Sequence, residues 1–186
     1  MKSEMIRVGV EERYYEYLIR PIEDQMIRSV WRIVQNPEDA DDAFQDALAT
    51  IWKRLAKIRR HPNPRALILK ICVNSAYDTL RRKIRRRSRE TPEGIPAGIP
   101  DSSPSAWDKL LGKEQRAEIL CAIGRLSRNQ AQAVLMRIVE EQPYSSIAQA
   151  LGCSEATART HVTRARTRLC KLLSHLAPHL AEEAIP

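Results

Sequence analysis

Aromatic side chains are scarce in this chain. They make up 5% of 186 residues, with a single Phe and three Trp. That scarcity argues against an aromatic-rich β-sandwich and suits small helical modules. Long apolar runs are missing too. None approaches the roughly 18 residues that a membrane span requires, so no membrane insertion is expected. Met1 to Glu12 carries glutamates and no apolar stretch, so no signal peptide is expected either. The four cysteines (Cys72, Cys121, Cys153 and Cys170) are scattered, with no Cys-x-x-Cys pair. They read as reduced, buried thiols of a cytoplasmic protein rather than as a metal or disulfide framework. Of the four histidines, His175 and His179 lie four apart, but Pro178 interrupts their helix. No metal site and no cofactor is expected.

Charge is what the sequence has in excess. The net charge is +8, and it is unevenly spread. Residues 1–52 are net −5, residues 53–90 net +12, residues 91–140 neutral and residues 141–186 net +1. An acidic block followed by a basic one implies two different partner surfaces, one of them for an anionic partner such as nucleic acid.

Ser88 to Ala106 reads SRETPEGIPAGIPDSSPSA, with Pro92, Pro96, Pro100 and Pro104 at steps of four. Proline at that spacing removes helix donors and fixes φ, so the stretch is an extended linker spanning at most about 60–65 Å. The expected fold is all-α, with two small helical domains on either side of this linker. The expected boundaries are residues 1–87, the linker at 88–106, a second four-helix domain at 107–175, and a tail at 176–186.

In the first domain, a helix over about 11–35, with a break near Pro21, buries Ile22, Met26, Ile27, Val30, Ile33 and Val34. Asn36-Pro37 starts the next helix. Its apolar positions Ala43, Phe44, Ala47, Leu48, Ile51, Trp52 and Leu55 alternate at steps of one and three, an amphipathic signature. Pro62 and Pro64 force a loop. A third helix over about 65–87 buries Leu67, Ile68, Ile71, Cys72, Ser75, Ala76, Thr79 and Leu80. Its other face is expected to present Lys70, Asn74, Tyr77, Asp78, Arg81 and Arg85 outward. On that face Lys70, Arg81 and Arg85 suit phosphates, Asn74 a base edge and Tyr77 base stacking. Seven of the nine residues from Arg81 to Arg89 are basic, a density that costs stability without a polyanion. The acidic residues Glu38, Asp39, Asp41, Asp42 and Asp46 admit three readings: a Mg²⁺ site, a solvated helix N-terminus, or a docking face for a basic protein.

In the second domain a helix over 107–124 turns in Leu110, Leu111, Ala117, Leu120 and Cys121. Ser127 and Gln130 form a capping box for the next helix, which ends near Pro143. Tyr144 to Leu151, then Gly152, then Ser154 as N-cap of a further helix, is a helix-turn-helix pattern. Ile147, Ala148, Leu151, Ala158, Val162, Ala165, Leu169 and Leu172 face inward. Glu155, Thr157, Arg159, Thr160, Thr163, Arg164 and Arg166 face out, the residue types that read base edges from the major groove.

Two motifs in order across a linker make the chain resemble a bacterial sigma factor of the two-domain extracytoplasmic-function (ECF) group. The resemblance covers about residues 12–174. Asp39-Ala-Asp-Asp-Ala-Phe-Gln-Asp46 is similar to the family's acidic AEDLVQE segment. Pro64 to Asp78, followed by Leu80-Arg-Arg, resembles its WLxxIAxNxxxDxxRR helix, with Leu67 in place of the usual Trp. Tyr-x-x-Ile-Ala-x-x-Leu-Gly at 144–152, with Thr-Ala-Arg and Arg-Ala-Arg within 157–166, resembles its C-terminal domain. Ala156, Ala158 and Ser146 depart from the usual Gly, Val and Glu.

The resemblance implies core RNA polymerase as partner, with contacts to the β′ clamp helices and the β subunit. The clamp contacts would come from Asp39, Asp41, Asp42, Gln45 and Asp46. It implies capture of the −10 promoter element by Arg59, Arg60, His61, Asn63, Lys70, Asn74, Tyr77, Arg81, Arg82 and Arg85. Reading of −35 duplex DNA would fall to Thr157, Arg159, Thr160, Thr163, Arg164 and Arg166. It also implies an anti-sigma factor as a partner, and no catalysis. Two other classes remain open at the level of residues: a helix-turn-helix regulator that binds duplex DNA as a dimer without polymerase, and a metal-dependent nuclease built on the acidic cluster.

Overall fold

The computed structural model describes residues 13–90 and 113–176. All regular elements among them are helical, with no strand. After a π-helical turn at Tyr15–Ile19 and a 3₁₀ turn at Arg20–Ile22, the first domain contains α1 (Glu23–Val34), α2 (Pro37–Lys53), α3 (Leu55–Arg59) and α4 (Pro64–Glu90). The second contains α5 (Lys113–Gly124), α6 (Arg128–Ile138), α7 (Tyr144–Leu151) and α8 (Glu155–Leu172).

The helix boundaries have local causes. Pro21 has no N–H to give an α-helix, and the entry to α1 is accordingly irregular. Gln35 closes α1 in the left-handed region (φ 59°). Asn36 then caps α2, its side-chain oxygen accepting from the Asp39 N–H at 2.9 Å, and Pro37 occupies the first position. α4 begins the same way: Asn63 Oδ1 accepts from the Ala66 N–H at 3.0 Å, and Pro64 is the first helical residue. Gly152 (φ 70°) closes α7, and Ser154 caps α8 through the Thr157 N–H at 3.1 Å. The helix-turn-helix therefore forms as expected.

α4 is the spine of the molecule. One side packs on α1 and α2, burying Met26, Val30, Ile33, Ala43, Ala47 and Ile51 with Ile68, Cys72 and Ala76. Several expected burials fail: Ile27 is exposed, and Phe44, Leu48, Trp52, Leu55, Leu67 and Ser75 are only half-buried. The other side of α4 carries the second domain: α5, α6 and α7 all pack on it. Leu69, Val73 and Tyr77 are consequently buried, so α4 is apolar almost all round between Ala66 and Tyr77. Gly124 sits so close to Ile84 that a Cβ there would collide with the isoleucine side chain.

The expected linker start at residue 88 is corrected, since α4 continues to Glu90, two residues short of Pro92. The remaining linker, Leu110, Leu111 and the tail beyond 176 lie outside the described residues. No helix among those described is long and apolar enough to cross a membrane.

Candidate nucleic-acid and polymerase interfaces

Three groups of residues make up the site, and the structure treats each differently. The acidic group lies on the first three turns of α2. Asp41, Asp42, Gln45 and Asp46 are exposed. Asp46 stands 3.7 Å from Arg82, both side chains being about two-thirds exposed, a pairing of little energetic weight. Asp39 is different. It forms a 2.7 Å ion pair with Lys83 of α4, whose side chain is only 13% exposed, so Asp39 holds α2 to α4. No three His, Cys, Asp or Glu side chains among the described residues are grouped as a metal cage.

The second group spans the α3–α4 loop and α4. Arg59 lies over the Tyr14 ring at 3.9 Å, and Arg60 is exposed. Arg82 donates to Thr79 Oγ1 at 3.0 Å, and Arg85 lies exposed along its own helix. The expectation that Lys70, Asn74 and Tyr77 face solvent is overturned, because the second domain covers them. The Lys70 ammonium donates to the carbonyl of Ala150 at 2.9 Å. Burial, and after it the nearby Arg54 and Lys57, push its pKa down from the ordinary lysine value. Asn74 accepts from Gln132 and from Arg128, whose guanidinium also pairs with Asp78 at 2.6 Å. Tyr77 is fully buried, and its hydroxyl donates to the Leu126 carbonyl at 2.6 Å. Burial raises its pKa. Arg81 lies 5.8 Å from its ring centroid.

The loop is engaged as well. His61 Nε2 lies 3.1 Å from the Gln149 carbonyl oxygen, and Nδ1 lies 2.9 Å from the Asn63 carbonyl oxygen and 3.1 Å from the Asn63 nitrogen. Asn63 Nδ2 donates to Ser146 Oγ at 3.2 Å. A third seam, remote from the loop, joins Gln25 to Glu140 (2.8 Å) and Arg32 to the Val139 carbonyl (3.0 Å). Replacing Tyr77 by Phe strands the Leu126 carbonyl in a buried position. The expected cost is about 1–2 kcal/mol of stability, measured by urea unfolding with an unchanged m-value.

The third group lies on α8 as expected. Thr157, Arg159, Thr160, Thr163, Arg164 and Arg166 are all exposed, above a buried row of Ala158, Val162 and Ala165. Arg159 is held in place. It pairs with Glu155 at 2.6 Å and lies 4.3 Å from the Tyr144 ring, which Arg137 approaches from 5.3 Å. Thr160 turns its hydroxyl back to the Ala156 carbonyl at 2.9 Å. Thr163, Arg164 and Arg166 project freely from the next two turns.

Sequence reasoning missed the partners of α4: Leu126, Arg128, Gln132, Ser146, Gln149 and Ala150. Gln132 was a legible signal, being a polar residue in the middle of the apolar stretch of α6 and 3% exposed. Of the cysteines, Cys72 alone is buried, and burial raises its pKa so that the thiol stays protonated; the other three are half-buried.

Comparison with known proteins places these features in context. The family described as Sigma-70 region 2 matches residues 18–86, and Sigma-70 region 4 matches residues 116–169. The chain is 30% identical over 166 residues to the ECF RNA polymerase sigma factor SigM of Mycobacterium tuberculosis, covering 89% of this chain and 80% of that protein. It is 28% identical over 156 residues to the RNA polymerase sigma-E factor of Streptomyces coelicolor, covering 83% of each. Its fold is similar to that of the sigma factor RpoE of Bartonella quintana, solved in complex with the anti-sigma factor NepR. That match has a TM-score of 0.53 at 22% identity and covers 86% of this chain and 96% of the other.

Proposed function

Because this chain belongs to the ECF group of the sigma-70 family of RNA polymerase sigma factors, we propose that it divides the work of that family between its two domains. The exposed carboxylates of α2 dock on basic residues of the polymerase clamp. The loop and outer face of α4, from Arg59 to Arg85, capture the unpaired −10 strand. The outer face of α8 reads the −35 duplex. The observation that carries this reading is the order of surfaces along the chain: an exposed acidic helix, an adjoining basic helix, and a capped helix-turn-helix with exposed Thr and Arg.

The chemistry asked of the chain is selection and binding. Sigma factors are transcription initiation factors of a non-enzymatic family, and this one is proposed to catalyse nothing itself. Strand opening draws on binding energy: bases that leave the duplex are held by stacking, base-edge hydrogen bonds and phosphate contacts. The protein is proposed to act in the cytoplasm, where polymerase and promoter are found. An anti-sigma factor, the class of partner seen with the Bartonella quintana protein, is a proposed regulator.

The closed arrangement of the domains bears directly on this function. Lys70, Asn74 and Tyr77 make hydrogen bonds to the second domain, while α8 rests on α6 and α7 of that domain. The −10 and −35 elements are separated by about one and a half turns of duplex, roughly 50 Å. The two reading surfaces reach both elements only after the domains separate, and a linker able to span about 60 Å permits it.

The test is reconstitution with purified core polymerase, run-off transcription and start-site mapping. Promoter-specific transcripts that require the chain support the reading. Tight, sequence-specific duplex binding by the chain alone, with no effect on polymerase, contradicts it. Within that assay, Arg164→Ala is expected to cost about 1–3 kcal/mol at one base position of the −35 element and to relax preference there. A library of −35 variants checks this, and an unchanged base preference removes Arg164 from the reading set.

A further inference from the structure

Where the helix-turn-helix meets α3 and α4, the two domains line a partly open cavity of about 320 Å³. Its floor is formed by Arg54, Lys57, His61, Lys70 and neighbouring apolar groups of the first domain. Its roof is the end of α7 and its turn, Gln149 to Gly152. Three basic side chains line it, and among the described residues no Asp or Glu does. The only negative character comes from the end of α7, whose carbonyls at Gln149 and Ala150 lie against His61 and Lys70. A helix C-terminus carries about half a unit of negative charge, which leaves most of the positive charge of Arg54, Lys57 and Lys70 uncompensated.

Charges of one sign gathered in a recess cost energy unless a counter-charge joins them. Burial, and after it the proximity of the exposed Arg54 and Lys57, lowers the pKa of Lys70. The cavity is at the small end of the range for ligand pockets. That size suits a compact polyanion better than a nucleic-acid strand.

We propose that this cavity is a binding site for a small diphosphate-type anion, held by Arg54, Lys57 and Lys70 beside the end of α7. Lys70 and His61 are also in the set assigned to the −10 strand, so ligand and promoter compete for the same groups. That consequence alone rests on the proposed function; the binding itself does not.

The experiment is calorimetric titration of the full-length protein with pyrophosphate at fixed ionic strength. Four proteins are compared: wild type, Lys57→Gln, Gln149→Glu and Arg168→Gln. Lys57 and Gln149 are both exposed, and neither substitution removes a packing contact from a buried core. One-to-one binding is expected for wild type. Lys57→Gln is expected to weaken it about fivefold. Gln149→Glu, which places a carboxylate on the roof, is expected to weaken it about tenfold or more. Arg168→Gln removes the same charge elsewhere and should leave affinity within about twofold. The decisive variant is Gln149→Glu, because it belongs to the second domain. Binding that survives it would assign the anion to open basic surface such as that of Arg82 and Arg85, and would overturn the proposal. Absence of pyrophosphate binding to wild type would overturn it equally, while leaving the run-off experiment, and the family function, untouched.

Discussion

Joining α4 covalently to α6 should abolish promoter-dependent transcription and leave the fold intact. Asp78 and Arg128 face each other across the domain junction at 2.6 Å, and both side chains are about half exposed. Cysteines at these two positions, in a background where Cys121, Cys153 and Cys170 are serine, are accessible to a short, cleavable bis-maleimide. Loss of the ion pair itself costs little, since exposed pairs contribute about 0–1 kcal/mol. The unbridged double variant is therefore expected to transcribe at close to the normal level. Once bridged, the domains cannot reach two DNA elements at once, and the gain from simultaneous engagement is lost. That gain is of the order of 100-fold or more for tethered modules. Run-off transcription should fall by at least about 100-fold and return when the linker is cleaved. Full activity of the bridged protein would mean that the closed arrangement is compatible with promoter binding.

The second large effect concerns α2, where two carboxylates three residues apart are expected to behave in opposite ways. Asp42 is exposed and forms no ion pair among the described residues, whereas Asp39 is tied to the nearly buried Lys83. Asp42→Arg should leave the melting temperature within about 2 °C of wild type, as expected for a surface change. It should lower affinity for core polymerase by about 10- to 100-fold, because a like charge is brought against a basic partner face. Asp39→Ala should do the reverse. Removing the partner of a largely desolvated lysine is expected to cost about 1 kcal/mol of stability, with a smaller effect on polymerase affinity. A pull-down at several salt concentrations, paired with thermal melts, separates the two. Normal polymerase binding by folded Asp42→Arg would remove the acidic helix from the docking role.

What the sequence disclosed, and what it hid, follows from the range of the interactions involved. Helix starts and stops were legible because their causes are local: Asn36-Pro37, Asn63-Pro64, Ser127 with Gln130, and Gly152 with Ser154 each act within four residues. The outer face of α8 was legible for the same reason, since only its own periodicity decides what is exposed. The covering of α4 was not. Tyr77 and Lys70 occupy positions that periodicity assigns to solvent, and they are covered by residues 49 and 80 positions away. The run of apolar residues through Leu69 and Val73 contained the hint, because a helix with one buried side does not need them. Ile27 shows the opposite error: its position in the apolar stripe suggested burial, but it falls at the edge of the packed face. The separate roles of Asp39 and Asp42 were likewise hidden, because they depend on where Lys83 lies in space.

The proposed function requires domains that are closed in the free chain and apart on the promoter. Pulsed electron resonance between spin labels at Ala56→Cys on α3 and Arg168→Cys on α8, both exposed positions outside the proposed contact sets, measures that separation directly. The native cysteines are replaced for this purpose. The free protein should show one short, narrow distance, and the active complex with core polymerase and promoter DNA a longer one, moving apart with the −10 and −35 elements toward roughly 50 Å. An unchanged short distance in a complex that is actively transcribing would contradict the account.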